Sequence, residues 1–463
     1  MLNYQDYRRD VDQLVRAALE GADPANAVEQ NLYRDGNTLR AGDFEYQLDQ
    51  GRVYLLSVGK AAISMAQPAI EILADQLQSA LVISKKGGPT AESIGYHDHP
   101  HVLLMEGNHP ISGPDSINAT RAASDMMAQA AEGDLLLCLI SGGTSALLTQ
   151  PAIALPEWQQ LNRALLASGC TINEFNLVRR NLDRVKGGGL VQMAAPATCV
   201  SLILSDVVGN PLPDIGSGPT VYSEESAADA LIVLERYRIE DVLPAEVWQH
   251  IHENLQQRAS GMQPEAGLST NIIVADVRQA ATTALTKAMQ LGFVTQLLTA
   301  HLEGEAREVG RVAAAIAKDL LPGRCLILGG ETTVTLQGDG SGGRNQELAL
   351  AAAHALDGTP AAVIASIATD GEDGPTPAAG AVVSGETAAI GRLLGLDTGA
   401  YLARNDSFHY FQALDELASE PGVFEQENLT GYGTLIKTGS TGTNVNDLLF
   451  ILSYPHISHD NTP

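Results

Sequence analysis

The sequence predicts an α/β protein: a Rossmann-like, doubly wound α/β/α domain followed by a second, smaller α/β domain with a mixed sheet. Three observations predict it. Strand-length apolar runs alternate with helical patterns through the first half. Several of those runs are apolar on both faces, such as Leu135 to Ile140 (LLLCLI) and much of Thr198 to Leu204 (TCVSLIL). That is the pattern of parallel strands covered by helices on both sides. In the second half Thr332 to Gln337 (TTVTLQ) alternates instead, which predicts one exposed face and antiparallel pairing. At 463 residues the chain exceeds one ordinary core. The boundary is expected in the polar Gln256 to Thr270 stretch, giving domains 1–262 and 263–463.

An amphipathic helix is expected over Val11 to Leu19, ending near Gly21 and Pro24. Arg52 to Val58 reads as a strand and Ala61 to Leu77 as a helix. Ala80 to Ser84 and Val102 to Met105 read as strands. A helix over Asp115 to Ala131 carries a capping-box pattern from Ser112 to Asp115, and a helix over Thr171 to Leu182 carries another from Thr171 to Glu174. Beyond the linker, Asn271 to Val274, Phe293 to Leu298, Cys325 to Leu328, Val363 to Ala368 and Asp447 to Leu452 are strands, and Asn345 to Leu356 is a helix.

The formal net charge is -27, from 55 acidic against 28 basic residues. Such a chain is a poor partner for nucleic acid, which needs phosphate-neutralising cations. No apolar run approaches the roughly 20 residues that span a bilayer, so no membrane is expected. The opening residues mix both charges without an apolar stretch, so a cytoplasmic location is expected. Cys138, Cys170, Cys199 and Cys325 lack metal-ligand or paired spacing and read as free thiols.

Ligands of doubly wound sheets bind past the carboxyl ends of the strands. Three glycine-rich turns fall there. Ser57-Val58-Gly59-Lys60 puts Lys60 at a strand end, where the following helix start disfavours a cation unless an anion is also bound. Ser141-Gly142-Gly143-Thr144-Ser145 and Gly216-Ser217-Gly218 are candidate phosphate cradles. Asp206, after the Thr198 to Leu204 strand, could hold Mg²⁺ or take a proton. Arg179, Arg180, Arg184 and Lys186 form a basic cluster in an acidic chain. Gly338 to Gly343 (GDGSGG) satisfies the dinucleotide spacing literally, but the alternating strand before it argues against that use. The preferred reading is a flexible loop that presents Arg344 to an anion. Asp370 belongs to an oxygen-rich turn (TDGEDG) suited to Mg²⁺. His97, His99 and His101 read as a solvated loop.

At these residues the chain resembles the class II glycerate kinase family with its MOFRL-type second half. The matching stretches are SVGKAA, ISGGTSALL, INEFNLVRRNLDRVKGGGL, SLILSDVVGNPLPDIGSGPT, LEGEAREVG, GGETTVTLQGDGSGGRNQELAL, ATDGEDGPTPAAGAVV, NDSFHYFQAL and TGSTGTNVNDL, from about residue 10 to 452. The resemblance implies an ATP- and Mg²⁺-dependent kinase converting D-glycerate to 2-phosphoglycerate, with its site between the two domains. It implies catalytic roles for Lys60 and Arg344. Gly59, Ser141, Gly142, Gly143, Ser145, Gly216, Ser217 and Gly218 are the nucleotide-phosphate candidates. Arg179, Asp206, Glu331 and Asn345 are the candidates for holding the acceptor, and Asp206 and Asp370 for the metal. The expected partners are a small hydroxy acid and a nucleotide, with a homodimer as the expected assembly. The alternative is an NAD(P)-dependent hydroxypyruvate reductase. The chain departs from the family at Arg180-Asn181-Leu182-Asp183, where Lys-His-Leu-Ser is usual, at Gly189, where a basic residue is usual, at Gly209-Asn210, and in HPISGPD (His109 to Asp115), where HPxPD is usual. These changes are expected to flank the substrate side.

Overall fold

The computed structural model describes residues 3–87, 101–260, 269–359, 361–418 and 432–455. The chain divides into two compact units, residues 24–274 and residues 1–23 with 275–463. The expected boundary at 262/263 therefore moves, and the first 23 residues join the second half.

The 24–274 unit opens with a three-stranded antiparallel meander, β1 (Leu32–Asp35), β2 (Thr38–Ala41) and β3 (Phe44–Gln47). The sequence reading missed it, although Gly36 and Gly42 mark its turns with positive φ. The main sheet holds β4 (Val53–Val58), β5 (Leu77–Lys85), β6 (Val102–Gly107), β7 (Leu135–Ile140), β8 (Thr198–Leu204) and β9 (Ser269–Ala275), in the order β6-β5-β4-β7-β8-β9. The pairs β4/β5, β4/β7, β5/β6 and β7/β8 are parallel. Every residue of β4 and β7 is buried, as the unbroken apolar run of β7 and the nearly apolar run of β4 predict. Tyr54, Leu56, Leu136, Cys138, Ala119 and Leu190 share one core cluster. A second cluster forms where helices 155–168, 172–182, 227–236 and 245–260 meet around Trp158, Val178, Leu234 and Ile251.

The other unit is built on β10 (Val294–Leu302), β11 (Arg324–Gly330), β12 (Ala362–Ala368), β13 (Gly380–Ser384), β14 (Leu435–Ile436) and β15 (Asp447–Ser453), ordered β10-β11-β15-β12-β13-β14. Only β10/β11 is parallel; β15 runs antiparallel to both neighbours. The sheet is thus mixed, as expected. Helix Tyr4–Gly21 packs on helix Val277–Gln290, so closely that a Cβ on Gly21 would lie 2.3 Å from Thr283 Oγ1.

Several expected elements differ. Thr332 to Gln337 is not a strand. A single bridge joins Thr333 to Glu305, and Thr335 N donates to the Glu305 carboxylate at 3.0 Å, so one loop satisfies this backbone in place of a sheet. The helix after Ser112 starts at Pro114, without a side-chain cap at Gly113. Asn108 Oδ1 accepts from Asp115 N at 3.0 Å instead. The Thr171–Glu174 capping box forms. The front of the expected linker is helix Ala245–Ser260, and its end is β9. His97 and His99 lie outside the described residues. All four cysteines are free. No helix among the described residues is long and apolar enough to cross a membrane.

Candidate active site

In the first sheet the strand order reverses direction between β4 and β7, the position at which open α/β sheets bind ligands. The expected turns sit there. Gly59, at φ 129°, presses against the neighbouring turn: a Cβ on it would lie 2.1 Å from Ser141 Oγ. Lys60 N donates to Gly142 O at 2.8 Å and Ala61 N to Ser141 Oγ at 3.1 Å. Thr144 Oγ1 donates to Val58 O at 3.0 Å. These bonds lace the ends of the two strands into one rigid platform.

Side chains from four strand ends gather on that platform. A Cβ on Gly142 would lie 2.0 Å from Asp206 Oδ2, so the carboxylate that follows β8 rests against the turn. A Cβ on Gly143 would lie 3.3 Å from Lys60 Cγ and 3.2 Å from the His109 ring. Sequence reasoning singled out Lys60 and Asp206 but passed over His109, whose only signal was the altered HPISGPD block. Burial, together with Lys60 and Lys85, lowers the His109 pKa from its ordinary value.

Ser145 continues the platform. Its hydroxyl lies 2.8 Å from Ser217 Oγ. Its carbonyl accepts from Arg179 at 2.9 Å and from Lys186 Nζ at 2.9 Å. Gly216, Ser217 and Gly218 all have φ near +60°, and Ser217 is fully buried. The Gly216–Gly218 loop is therefore a packed support for the Ser145 turn, with Gly187 N donating to Ser217 O and Gly188 N to Gly218 O. Burial pulls the Arg179 guanidinium down to about 10 and the Lys186 amine down to about 8.

Two of the departures from the family pattern, Arg180 to Asp183 and Gly189, fall in this supporting layer, whereas the altered HPISGPD block carries His109 onto the platform. Arg180 reaches Asp214 Oδ1 at 3.0 Å and also pairs with Glu225. Asp183 is buried 3.5 Å from Lys186 Nζ and accepts from Thr149 Oγ1 at 2.5 Å. A Cβ on Gly189 would lie 1.9 Å from Arg184 O, so no larger residue fits there without a shift.

In the other unit, β11, β15 and β12 bring Gly330, Asp447 and Ala368 into register at one end of the central strands. Arg344 opens helix Arg344–Leu356 and meets those strand ends at Asp447. Its Nε and second terminal nitrogen donate to Asp447 at 2.5 and 2.9 Å, and its remaining nitrogen lies 2.7 Å from Glu331 Oε1. Asn446 holds the far Glu331 oxygen at 2.9 Å. Asp373 accepts from Asn345 N at 3.0 Å and Gln346 N at 2.8 Å, capping the helix whose first residue is a cation. Burial pushes Asp447 up to about 7 against the pull of Arg344. For Arg344 burial lowers the pKa, but Asp447, Glu331 and Asp373 outweigh it and the net shift is upward.

The loop before Arg344 is pinned, contrary to the flexible loop expected. Asn405 Oδ1 accepts from Gln337 N and Gly338 N, and Asp406 Oδ1 from Ser341 N. Cβ atoms on Gly338, Gly340, Gly342 and Gly343 would lie within 2.5 Å of Arg404, Asp406, Ser407 and Asp373 respectively. These glycines admit protein, not a pyrophosphate. Asn345 is buried, its carbonyl accepting from Ser366 Oγ at 2.5 Å and its amide donating to Asp373; its side chain is part of the core under Arg344. Asp370, two residues past β12, accepts from Glu372 N at 3.0 Å. No cluster of three metal-ligating side chains forms among the described residues. Asp447 and Asp373 were not read as site residues. Asp373 was legible only as one acid of the oxygen-rich turn, not as the cap of the Arg344 helix, and nothing local marks Asp447, because the partners of both lie far away along the chain.

A family model described as a domain of unknown function, DUF4147, matches residues 10–252, and the MOFRL family model matches residues 324–447. The D-glycerate 2-kinase of Thermotoga maritima is 36% identical over 458 residues, covering 97% of this chain and 99% of its own. A glycerate kinase of Danio rerio is 35% identical over 503 residues, covering 96% and 97%. The crystal structure of the Thermotoga maritima glycerate kinase superposes with a TM-score of 0.80 at 35% identity, covering 97% of this chain and all of that one. The chain belongs to the glycerate 2-kinase family, with a DUF4147 region followed by a MOFRL region.

Proposed function

We propose that the protein is a glycerate 2-kinase, moving a phosphoryl group from ATP to the 2-hydroxyl of D-glycerate. Beside the family relationship, one observation carries the reading: Lys60, His109 and Asp206 surround the Ser141–Ser145 turn where the strand order reverses. Phosphoryl transfer asks a protein mainly for positioning and charge neutralisation. Lys60 supplies a cation for the transferred group, and the platform of Gly59 and Ser141 to Ser145 supports the nucleotide phosphates. Arg344 is the second cation of the proposal, its direction set by Asp447 and Glu331. Arg179, held over the Phe175 ring at 5.0 Å, is the candidate for the acceptor's carboxylate.

Mg²⁺ fits the donors present. It binds such sites through one or two carboxylates plus substrate phosphates, and Asp206 offers a carboxylate at the platform, with Asp370 a further candidate. When bound it would neutralise phosphate charge. The reductase alternative finds no support in the geometry, because the glycines of the Gly338–Gly343 run are filled by protein atoms. An assay of D- and L-glycerate, tartrate and hydroxypyruvate with ATP, product position read by phosphorus NMR, tests the proposal. D-glycerate should give 2-phosphoglycerate. Reduction of hydroxypyruvate by NAD(P)H without ATP, and no phosphorylated product, would overturn it.

A further inference from the structure

His109 stands out among the groups on the platform because no described residue hydrogen-bonds its side chain. The loop that carries it is held by its neighbours. Asn108 Oδ1 accepts from Asp115 N, Asn108 N donates to Ser116 Oγ at 2.9 Å, and Gln159 Nε2 donates to Ser112 O at 2.9 Å. The imidazole has no hydrogen-bond partner among the described residues. It is half-buried just past the end of β6. Its Nε2 lies 3.3 Å from the point where a Gly143 Cβ would stand, and Lys60 Cγ lies at the same distance from that point. A glycine there, with φ at +89°, lets ring and lysine stem flank the turn together.

We propose that His109 is a catalytic residue, the general base that takes the proton from the acceptor's hydroxyl; this rests on the kinase reading above. The acceptor's O–H bond breaks and its proton passes to an imidazole nitrogen. The freed oxygen forms a bond to the terminal phosphorus of ATP, the bond from that phosphorus to the bridging oxygen breaks, and ADP leaves. The imidazolium then returns its proton to water. Among the described residues, the charged groups that act on the ring are Lys60, just past the end of β4, and Lys85, at the end of β5, and both add to burial in lowering its pKa. A ring so placed is neutral at physiological pH, the form a base requires.

Steady-state kinetics from pH 5.5 to 9 with D-glycerate, ATP and magnesium test this, on the parent protein and on His109→Gln and His109→Ala. In His109→Gln, kcat should fall by about 100-fold, with the KM for D-glycerate changed less than about threefold. The parent should lose kcat/KM on the acid side below the ordinary histidine value of 6.5, and the variant should lack that limb. Added imidazole should restore part of the His109→Ala rate. A variant kcat within about threefold of the parent, or an acid limb left unchanged, overturns the proposal. NMR titration of the His109 ring in the unsubstituted protein covers the case of a variant that fails to fold. A ring pKa that does not coincide with the acid limb overturns the proposal as well. A parent that does not phosphorylate D-glycerate overturns the kinase reading and the base together, whereas an active parent with an indifferent variant overturns only the base.

Discussion

Arg344 shows how much a single residue's role depends on what surrounds it. Lysine at this position would keep the charge but lose the paired donors that meet Asp447. Arg344→Ala should lower kcat at least about tenfold, equivalent to about 1.4 kcal/mol of transition-state stabilisation, and Arg344→Lys should restore little of it. Asp447 adds a pH signature. Its folded pKa of about 7 lies well above the ordinary carboxylate value of about 3.9, so the folded state holds this proton more tightly than the unfolded chain does. Its linkage contribution is therefore fully present below about pH 4 and is lost as pH rises through about 7. Denaturant titrations between pH 4.5 and 8 should show a steeper loss of stability with rising pH in the parent than in Asp447→Asn. The same variant should show reduced kcat, because it leaves the Arg344 charge without its anionic partner.

Among the elements, the turn between β7 and the next short helix has no slack. A Cβ on Gly142 would collide with the Asp206 carboxylate at 2.0 Å. Gly142→Ala should therefore displace Asp206 or the turn and cost roughly 100-fold in kcat/KM, since misplacements of about 1 Å carry losses of that order. The cap at the far end of the helix that carries Arg179 gives the contrast. Thr171 accepts from Glu174 N at 3.3 Å, while Glu174 accepts from Thr171 N at 3.0 Å. Thr171→Ala should cost about 1 kcal/mol of unfolding free energy and leave kcat unchanged. Much of the first sheet was legible because β7 is apolar throughout and β4 nearly so, a signal that needs no partner to be read. The meander was missed because its strands are only four residues long and half polar. Thr332 to Gln337 was misread because alternation reports one exposed face, not whether a neighbouring strand exists.

For the whole molecule, the discontinuous unit is the main consequence of the fold. Helix Tyr4–Gly21 buries Tyr4, Tyr7, Val11, Leu14 and Val15. Tyr454 donates to Asp10 at 3.0 Å, and Thr443 donates to Ala22 O at 2.7 Å. At roughly 1.5–3 kcal/mol for each large apolar side chain buried, the helix contributes an amount comparable to the 5–15 kcal/mol that stabilises a whole domain. Residues 24–274 expressed alone should melt cooperatively. Residues 275–463 should not, until a peptide of residues 1–23 is added or fused. Circular dichroism melts of the fragments check this, and independent folding of 275–463 would show that the first helix is dispensable.

The amino-acid order was enough to give the alternating α/β class, the doubly wound first sheet, the glycine turns and the identity of Lys60 and Arg344 as cations in unusual places. Those are local properties: periodicity, turn chemistry and charge at a strand end act over a few residues. The fold alone could bring His109 and Asp206 to the Gly142–Gly143 turn, seat Asp447 under Arg344, bury Asn345, and send the first helix to the second half of the chain. Each of these joins residues far apart in sequence, and such contacts follow from strand order and packing, which no local pattern encodes.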